Sequence, residues 1–269
     1  MLTQNLKGPL VIVFGNEKGG TGKSTLAMHA ITHLLYEGLQ VGCIDVDGRQ
    51  GTLSRYIENR QRYVADKQST IPIPEHRRIT EANSTNTSLL EKALEELSFC
   101  DIVVIDSPGN DTILSRQAHS FADILFTPVN DSFVDLDVLV HVDEKDDKPN
   151  LTPSIYAEMV WEARKRKLVN HERPTEWIVV RNRLGHLFTK NKENVGQVLN
   201  ELSGRIGFKY ASGFGERVIF RELFLKGLTL LDLHESQEDL TFSHVAARQE
   251  LRALMQLVPL PKVPLQKAS

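Results

Sequence analysis

Short apolar runs alternate along the chain with stretches in which apolar residues recur every three or four positions, the pattern of a parallel sheet flanked by helices. Leu10–Phe14 reads as a first strand, and Ile102–Ile105, built of β-branched residues, as a buried one. Gln40–Asp45, Ile124–Val129 and Trp177–Val180 read as three more. Helical periodicity predicts helices over Lys23–Tyr36, Leu89–Ser98, Thr152–Leu168, Lys190–Ser203, Glu216–Phe224 and Ser243–Leu257. Between Asn59 and Ser88 the pattern turns polar, with Pro72, Pro74 and an NSTNTS tract, and reads as a surface insertion. There is no internal repeat. The expected architecture is one doubly wound α/β domain, its sheet mostly parallel and flanked by helices, over residues 1–258. A flexible tail follows over residues 259–269, interrupted by Pro259, Pro261 and Pro264.

The sharpest chemical signal lies between the first strand and the first helix: Gly15-Asn16-Glu17-Lys18-Gly19-Gly20-Thr21-Gly22-Lys23-Ser24-Thr25. Glycines let backbone N–H groups converge on phosphate oxygens, and the following helix points its positive end at the same anion. Lys23 can reach the β- and γ-phosphates, and the Ser24 hydroxyl suits Mg²⁺. The loop predicts an ATP site of the P-loop NTPase fold. It departs from GxxxxGK[ST], which requires glycine where this chain has Glu17, and carries a second lysine, Lys18.

Two carboxylate segments fall where such a site needs them. Asp45-Val46-Asp47 ends the second strand, and Asp106 follows Ile102–Ile105. Strand ends at one edge of a parallel sheet converge on a ligand crevice. A carboxylate near a γ-phosphate is repelled unless Mg²⁺ and lysines offset its charge, so these residues make sense with the metal bound. The DVDG run resembles the start of an EF-hand, but Arg49 and Gln50 stand where that loop needs other residues. Asn182, after another strand, has the donor and acceptor to read an adenine edge. His29 and His33 are spaced i,i+4, but no glutamate completes a zinc motif and a structural role is expected.

Composition narrows the class. Hydrophobic content of 41% with 25% charged residues is that of a globular protein, and a net charge of −3 means any nucleic-acid contact needs a local basic patch. Two cysteines beside apolar runs, an N-terminus without a signal peptide and no membrane-length apolar run predict a cytoplasmic protein. The N-x-[ST] triplets then carry no glycans.

The run KGGTGKST is a deviant Walker A motif, and on it the chain resembles the ParA/MinD group of ATPases. Longer segments resemble the MipZ family of division-plane positioning ATPases: DGRQGTLSRYIENR, PVNDSFVDLDVL, SIYAEMVWEARKRKL, WIVVRNRL, RVIFRELFLKGLTLLDL and HVAARQELRALM. The resemblance implies an ATP- and Mg²⁺-dependent hydrolase that is a homodimer when ATP-bound. It implies nucleotide contacts from Glu17, Lys18, Gly19, Gly20, Thr21, Gly22, Lys23, Ser24, Thr25 and Asn182. Lys18 would reach across the dimer to the partner's nucleotide, as an arginine finger does, and Asp47 would orient the attacking water. Ser24, Asp45 and Asp106 would serve the metal. The implied partners are nonspecific DNA for the dimer, a ParB-like partition protein that recruits the monomer near the cell poles, and the division protein FtsZ, whose assembly is inhibited. Gly48 and Gly51, around Gln50, depart from the family pattern and imply a more flexible switch I.

Lys190, Lys192, Arg205, Arg217 and Arg221 are the candidate DNA contacts, doubled in a dimer. The alternative role is ParA-type chromosome or plasmid partition. A MinD-type membrane cycle needs a basic amphipathic C-terminal helix, which the prolines of the tail oppose, so no membrane partner is expected. A tyrosine kinase or metal-cluster carrier lacks its tyrosine tail or CxxC pair here, and a nonhydrolytic binder would not need Lys18, Asp47 and Asp106.

Overall fold

The computed structural model describes residues 8–48, 50–79, 88–143, 150–170, 172–184, 190–234 and 241–260. The tract at 83–87 and the tail at 261–269 lie outside them.

Seven parallel strands form the central sheet. In chain order they are β1 (Leu10–Phe14), β2 (Val41–Asp45), β3 (Glu75–Arg78), β4 (Ile102–Asp106), β5 (Ile124–Asn130), β8 (Glu176–Asn182) and β9 (Lys209–Ala211), and in space β3-β2-β4-β1-β5-β8-β9. A separate antiparallel hairpin pairs β6 (Val140–Asp143) with β7 (Asn150–Pro153). Period-two alternation sends Val11 and Val13 to one face of the sheet and Ile12 and Phe14 to the other. The first face is covered by α3 (Ser88–Glu96), α4 (Ile113–Phe121), α6 (Ile155–Val169) and α7 (Lys190–Ile206). The second is covered by α1 (Lys23–Tyr36), α2 (Thr52–Lys67), α8 (Ile219–Lys226) and α9 (Phe242–Met255). One short turn of helix, α5 (Phe133–Leu136), follows β5.

The connection from β1 runs one way to β2, and the one from β4 crosses back over β1 to β5. Loops leaving these adjacent strands therefore part in opposite directions and open a crevice at the carboxyl edge. Register brings the chemistry there: Asp106 pairs with Phe14 on one side and with Asp45 on the other.

The polar stretch from Asn59 is not an insertion throughout. Residues 59–67 complete α2, and Glu75–Arg78 is the edge strand β3, in register with Gly42–Asp45. Two features disguised them. An edge strand with one neighbour needs no apolar alternation. In α2 the buried stripe Leu53, Tyr56, Ile57 continues through Arg60, which is 0% exposed. Arg60 forms a bidentate pair with Asp232, both contacts 2.8 Å, and also donates to the Pro72 and Gly227 carbonyls. A buried charge is tolerated when it is paired and each of its nitrogens finds an acceptor in this way. The helix expected from Thr152 starts instead at Ile155, because residues 152–153 pair in β7 and Ser154 caps the helix through its side chain.

Candidate nucleotide site

The loop from Gly15 to Gly22 joins β1 to α1 at the crevice. Gly22 takes φ 87°, a left-handed turn, and an added Cβ would stand 2.1 Å from the Asn182 amide nitrogen. No side chain caps α1 and no acid sits in its first turn, so its leading N–H groups are unspent and face the crevice. Side chains from three residues brace the loop. Asn16 donates to the Pro128 carbonyl at 2.6 Å and accepts from the Lys18 N–H at 2.8 Å. Asn182 Nδ2 donates to the Thr21 carbonyl at 2.7 Å. Tyr156 donates to the Gly15 carbonyl at 2.9 Å, its hydroxyl within 2.8 Å of Thr127 Oγ1. Asn16 and Tyr156 escaped the sequence reading, since no spacing rule marks a residue that serves a loop from below.

The two lysines differ in setting. Lys23 is buried and donates from Nζ to the Lys18 carbonyl at 2.9 Å. Burial pushes its pKa down, while Asp106 and Asp47 push it back up. Lys18 stands at the rim, its side chain 33% exposed, donating to the Val134 carbonyl and lying 3.4 Å from Asp135 on α5.

The carboxylates also differ. Asp45 accepts from the N–H and the hydroxyl of Ser54, both at 2.8 Å, and from the Asp47 N–H at 3.0 Å. Asp106 is 1% exposed, and neither carboxylate oxygen has a hydrogen-bond partner although Ser24 lies close enough to ease its charge. Burial, with Asp45 adding repulsion, pushes the Asp106 pKa up to about 8. A buried carboxylate with two unspent oxygens beside a serine hydroxyl is a fitting donor set for Mg²⁺. No cluster of three His, Cys, Asp or Glu able to hold a metal occurs among the described residues.

A pH effect follows. An unfolded chain releases the Asp106 proton near the ordinary carboxylate pKa of about 4, whereas the folded chain keeps it up to about 8. Stability of the nucleotide-free protein therefore falls as pH rises through that window. Asp106→Asn should raise the melting temperature at pH 8 and leave it unchanged at pH 4. Equal shifts at both pH values in scanning fluorimetry would contradict the assignment.

Two cavities meet at the loop. One of 340 Å³ is polar, lined by Gly20, Lys23, Ser24, Asp47, Gln50 and Ser107. The other, of 380 Å³, is lined by Leu26, Asn182, Phe214, Arg217, Phe220 and Phe224. They share Gly22, Thr25, Thr52 and Arg183, so a phosphate compartment opens beside a largely apolar one. Arg183 reaches their common lip because the chain reverses there at φ 54°.

The sequence-predicted residues divide as follows. Glu17 through Gly22 lie in the loop, Lys23, Ser24 and Thr25 open α1, and Asp45, Asp47 and Asp106 edge the polar cavity or the strand ends beneath it. Asn182 braces the loop and lines the apolar compartment. His29 is a buried core residue, its Nδ1 2.8 Å from the Thr25 carbonyl. The basic candidates do not form one strip within a protomer. Arg217 is 9% exposed at its side chain and binds Glu250 bidentately at 2.6 and 2.7 Å. Arg221, 80% exposed, lies on α8, whereas Arg205 is on α7, across the sheet. Lys190 begins α7 and Arg205 ends it, roughly 22 Å apart at 1.5 Å per residue. The side chains of Lys190 and Lys192 lie outside the described residues.

A parallel sheet with a lysine-doubled phosphate loop at its switch point defines a P-loop nucleotide-binding protein of the ParA/MinD type. The chain belongs to the MipZ ATPase family, whose model matches residues 10–262. No curated protein matches it. Among solved structures it is similar to an ATP complex of an McdA variant from Cyanothece, at 15% identity and TM-score 0.64, covering 96% of this chain and 99% of that one. It is also similar to a putative plasmid partition protein of Borrelia burgdorferi bound to AMPPNP, at 16% identity and TM-score 0.58, covering 93% and 100%. MinD, a cell division protein of Aquifex aeolicus, aligns at 17% identity and TM-score 0.55 over 96% and 100%. At such identities these likenesses speak for the fold. No helix among the described residues is long and apolar enough to cross a membrane.

Proposed function

We propose that this chain hydrolyses ATP in a monomer–dimer cycle that positions the cell division site. The observation that carries the proposal is the split between its two lysines: Lys23 is buried inside the site, while Lys18 stands at the rim with a third of its side chain exposed. A cation at the rim can serve a nucleotide held by a second copy of the chain. In this reading the loop N–H groups and Lys23 bind the phosphates, and the apolar compartment with Asn182 takes the adenine. Asp47 accepts a hydrogen bond from the attacking water, aims it in line with the leaving group and takes up its proton. Lys18 from the partner neutralises charge as it develops on the transferred phosphoryl group. Ser24 and Asp106 would hold Mg²⁺ with support from Asp45, and the bound ion would neutralise phosphate charge.

Membership of the MipZ family supports the finer roles: the dimer binds DNA nonspecifically and inhibits FtsZ assembly, and a ParB-like protein recruits the monomer to cell poles. The test is light-scattering mass with ADP and with ATP, followed by FtsZ sedimentation with the ATP-bound form. A monomer with ADP, a dimer with ATP and loss of FtsZ pelleting support the cycle. A dimer that leaves FtsZ untouched would favour ParA-type partition.

DNA binding carries its own prediction. Because Glu250 already engages Arg217, whereas Arg221 is 80% exposed and held only by a surface pair with Glu216 at 3.5 Å, Arg221→Ala should lower the salt slope of the dimer's DNA affinity by about one unit per site. Fluorescence anisotropy at several salt concentrations reads this, and an unchanged slope removes Arg221 from the interface.

A further inference from the structure

The edge strand β3 carries polar side chains that the reaction outlined above does not use. Alternation divides them. Glu75 and Arg77 point to the α3 side, where Arg77 Nε binds Glu96 at 2.7 Å. His76 and Arg78 point to the other side, over the turn that joins Asp45 to α2. There His76 Nε2 lies 3.1 Å from Ser54 Oγ, which donates to Asp45 at 2.8 Å. An ionised Asp45 only accepts, so the Ser54 proton is committed to it and His76 must donate to Ser54. Arg78 donates to the Gly48 carbonyl at 3.1 Å. Its guanidinium also lies over Gly51, where an added Cβ would meet Nη2 at 2.5 Å, and Gly51 caps α2 at φ 55°. The turn is thus gripped at both ends by one strand.

We propose that His76 and Arg78 are positioning residues of switch I, holding the turn from Asp45 to Gly51, and with it Asp47, against the phosphate cavity. A segment with two glycines samples many conformations unless something restrains it. An unbraced turn would present Asp47 at the right distance for only a fraction of the time. Nucleotide affinity should not change, because the phosphate loop is held by Asn16, Tyr156 and Asn182 instead. The inference rests on the role given to Asp47 above.

The experiment uses the full chain with Arg78→Gln, Arg78→Lys and His76→Ala, and Asp47→Ala as reference. Three quantities are read: fluorescent ATP-analogue affinity, single-turnover ATP hydrolysis, and amide exchange over residues 46–51. The expected result for Arg78→Gln is affinity within twofold, hydrolysis slower by about tenfold, and faster exchange in the turn. Arg78→Lys restores both rate and protection, since a lysine also reaches a carbonyl, and His76→Ala shows a smaller change in the same direction. Unchanged exchange in Arg78→Gln and His76→Ala overturns the brace. Faster exchange with undiminished hydrolysis overturns the positioning role, provided Asp47→Ala is itself slow. If Asp47→Ala hydrolyses ATP at the wild-type rate, the reading of Asp47 is what fails, and exchange alone decides whether the brace exists.

Discussion

Lys18→Ala should abolish the ATP-dependent doubling of mass while leaving ATP binding nearly intact. The side chain contributes nothing to the loop's own architecture: the contacts that shape the loop use the Lys18 backbone, whose N–H donates to Asn16 and whose carbonyl accepts from Lys23. The ammonium group instead rests on the Val134 carbonyl and near Asp135, both on α5. A partly exposed ion pair of that kind contributes at most about 1 kcal/mol to stability, so the variant should fold. What disappears is a cation delivered to the neighbouring nucleotide. In related nucleotide hydrolases a trans cation accelerates turnover by about 10³–10⁵, and hydrolysis should fall to the intrinsic rate of a lone site. Light scattering with ATP and a phosphate-release assay check both. A Lys18→Ala dimer, or full activity, would place the rim lysine outside the mechanism.

Asp47→Ala should do the opposite to the assembly and the same to the chemistry. Its carboxylate makes one weak contact, with the Gln50 N–H at 3.2 Å, while the backbone N–H that serves Asp45 survives the substitution. Removing the carboxylate takes away a negative charge close to Lys23, so ATP should bind at least as tightly. With no group to orient and deprotonate water, turnover should drop by about 10²–10⁴. The ATP dimer then accumulates and persists, and shifts to monomer only when ATP is removed. A dimer lifetime equal to wild type would mean that another residue orients the water.

Much of this molecule is readable from spacing alone. Leu10–Phe14 and Lys23–Tyr36 fall where the apolar pattern puts them, because a buried strand followed by a glycine loop and a largely buried helix is encoded within one local window. The phosphate loop is legible for the same reason: it is a consecutive glycine-rich run between a strand and a helix. Asp45, Asp47 and Asp106 are legible as residues at strand ends.

What escaped was long-range. β3 and the second half of α2 looked like an insertion because their stabilising partners lie elsewhere: Arg60 is explained by Asp232 and the Pro72 and Gly227 carbonyls, and His76 by Ser54 and Asp45. The basic candidates looked like one group because a sequence does not say which layer a helix joins, and Glu250 had no visible claim on Arg217. The sequence alone therefore determined the fold class, the family and the phosphate loop, all properties of local pattern. Only the tertiary structure decided which charges stay exposed, which are spent on one another, and which side chains touch the turn after Asp45. Those depend on distances between segments far apart in the chain, and a pairwise energy that varies with separation and burial leaves no periodic trace in the residues that share it.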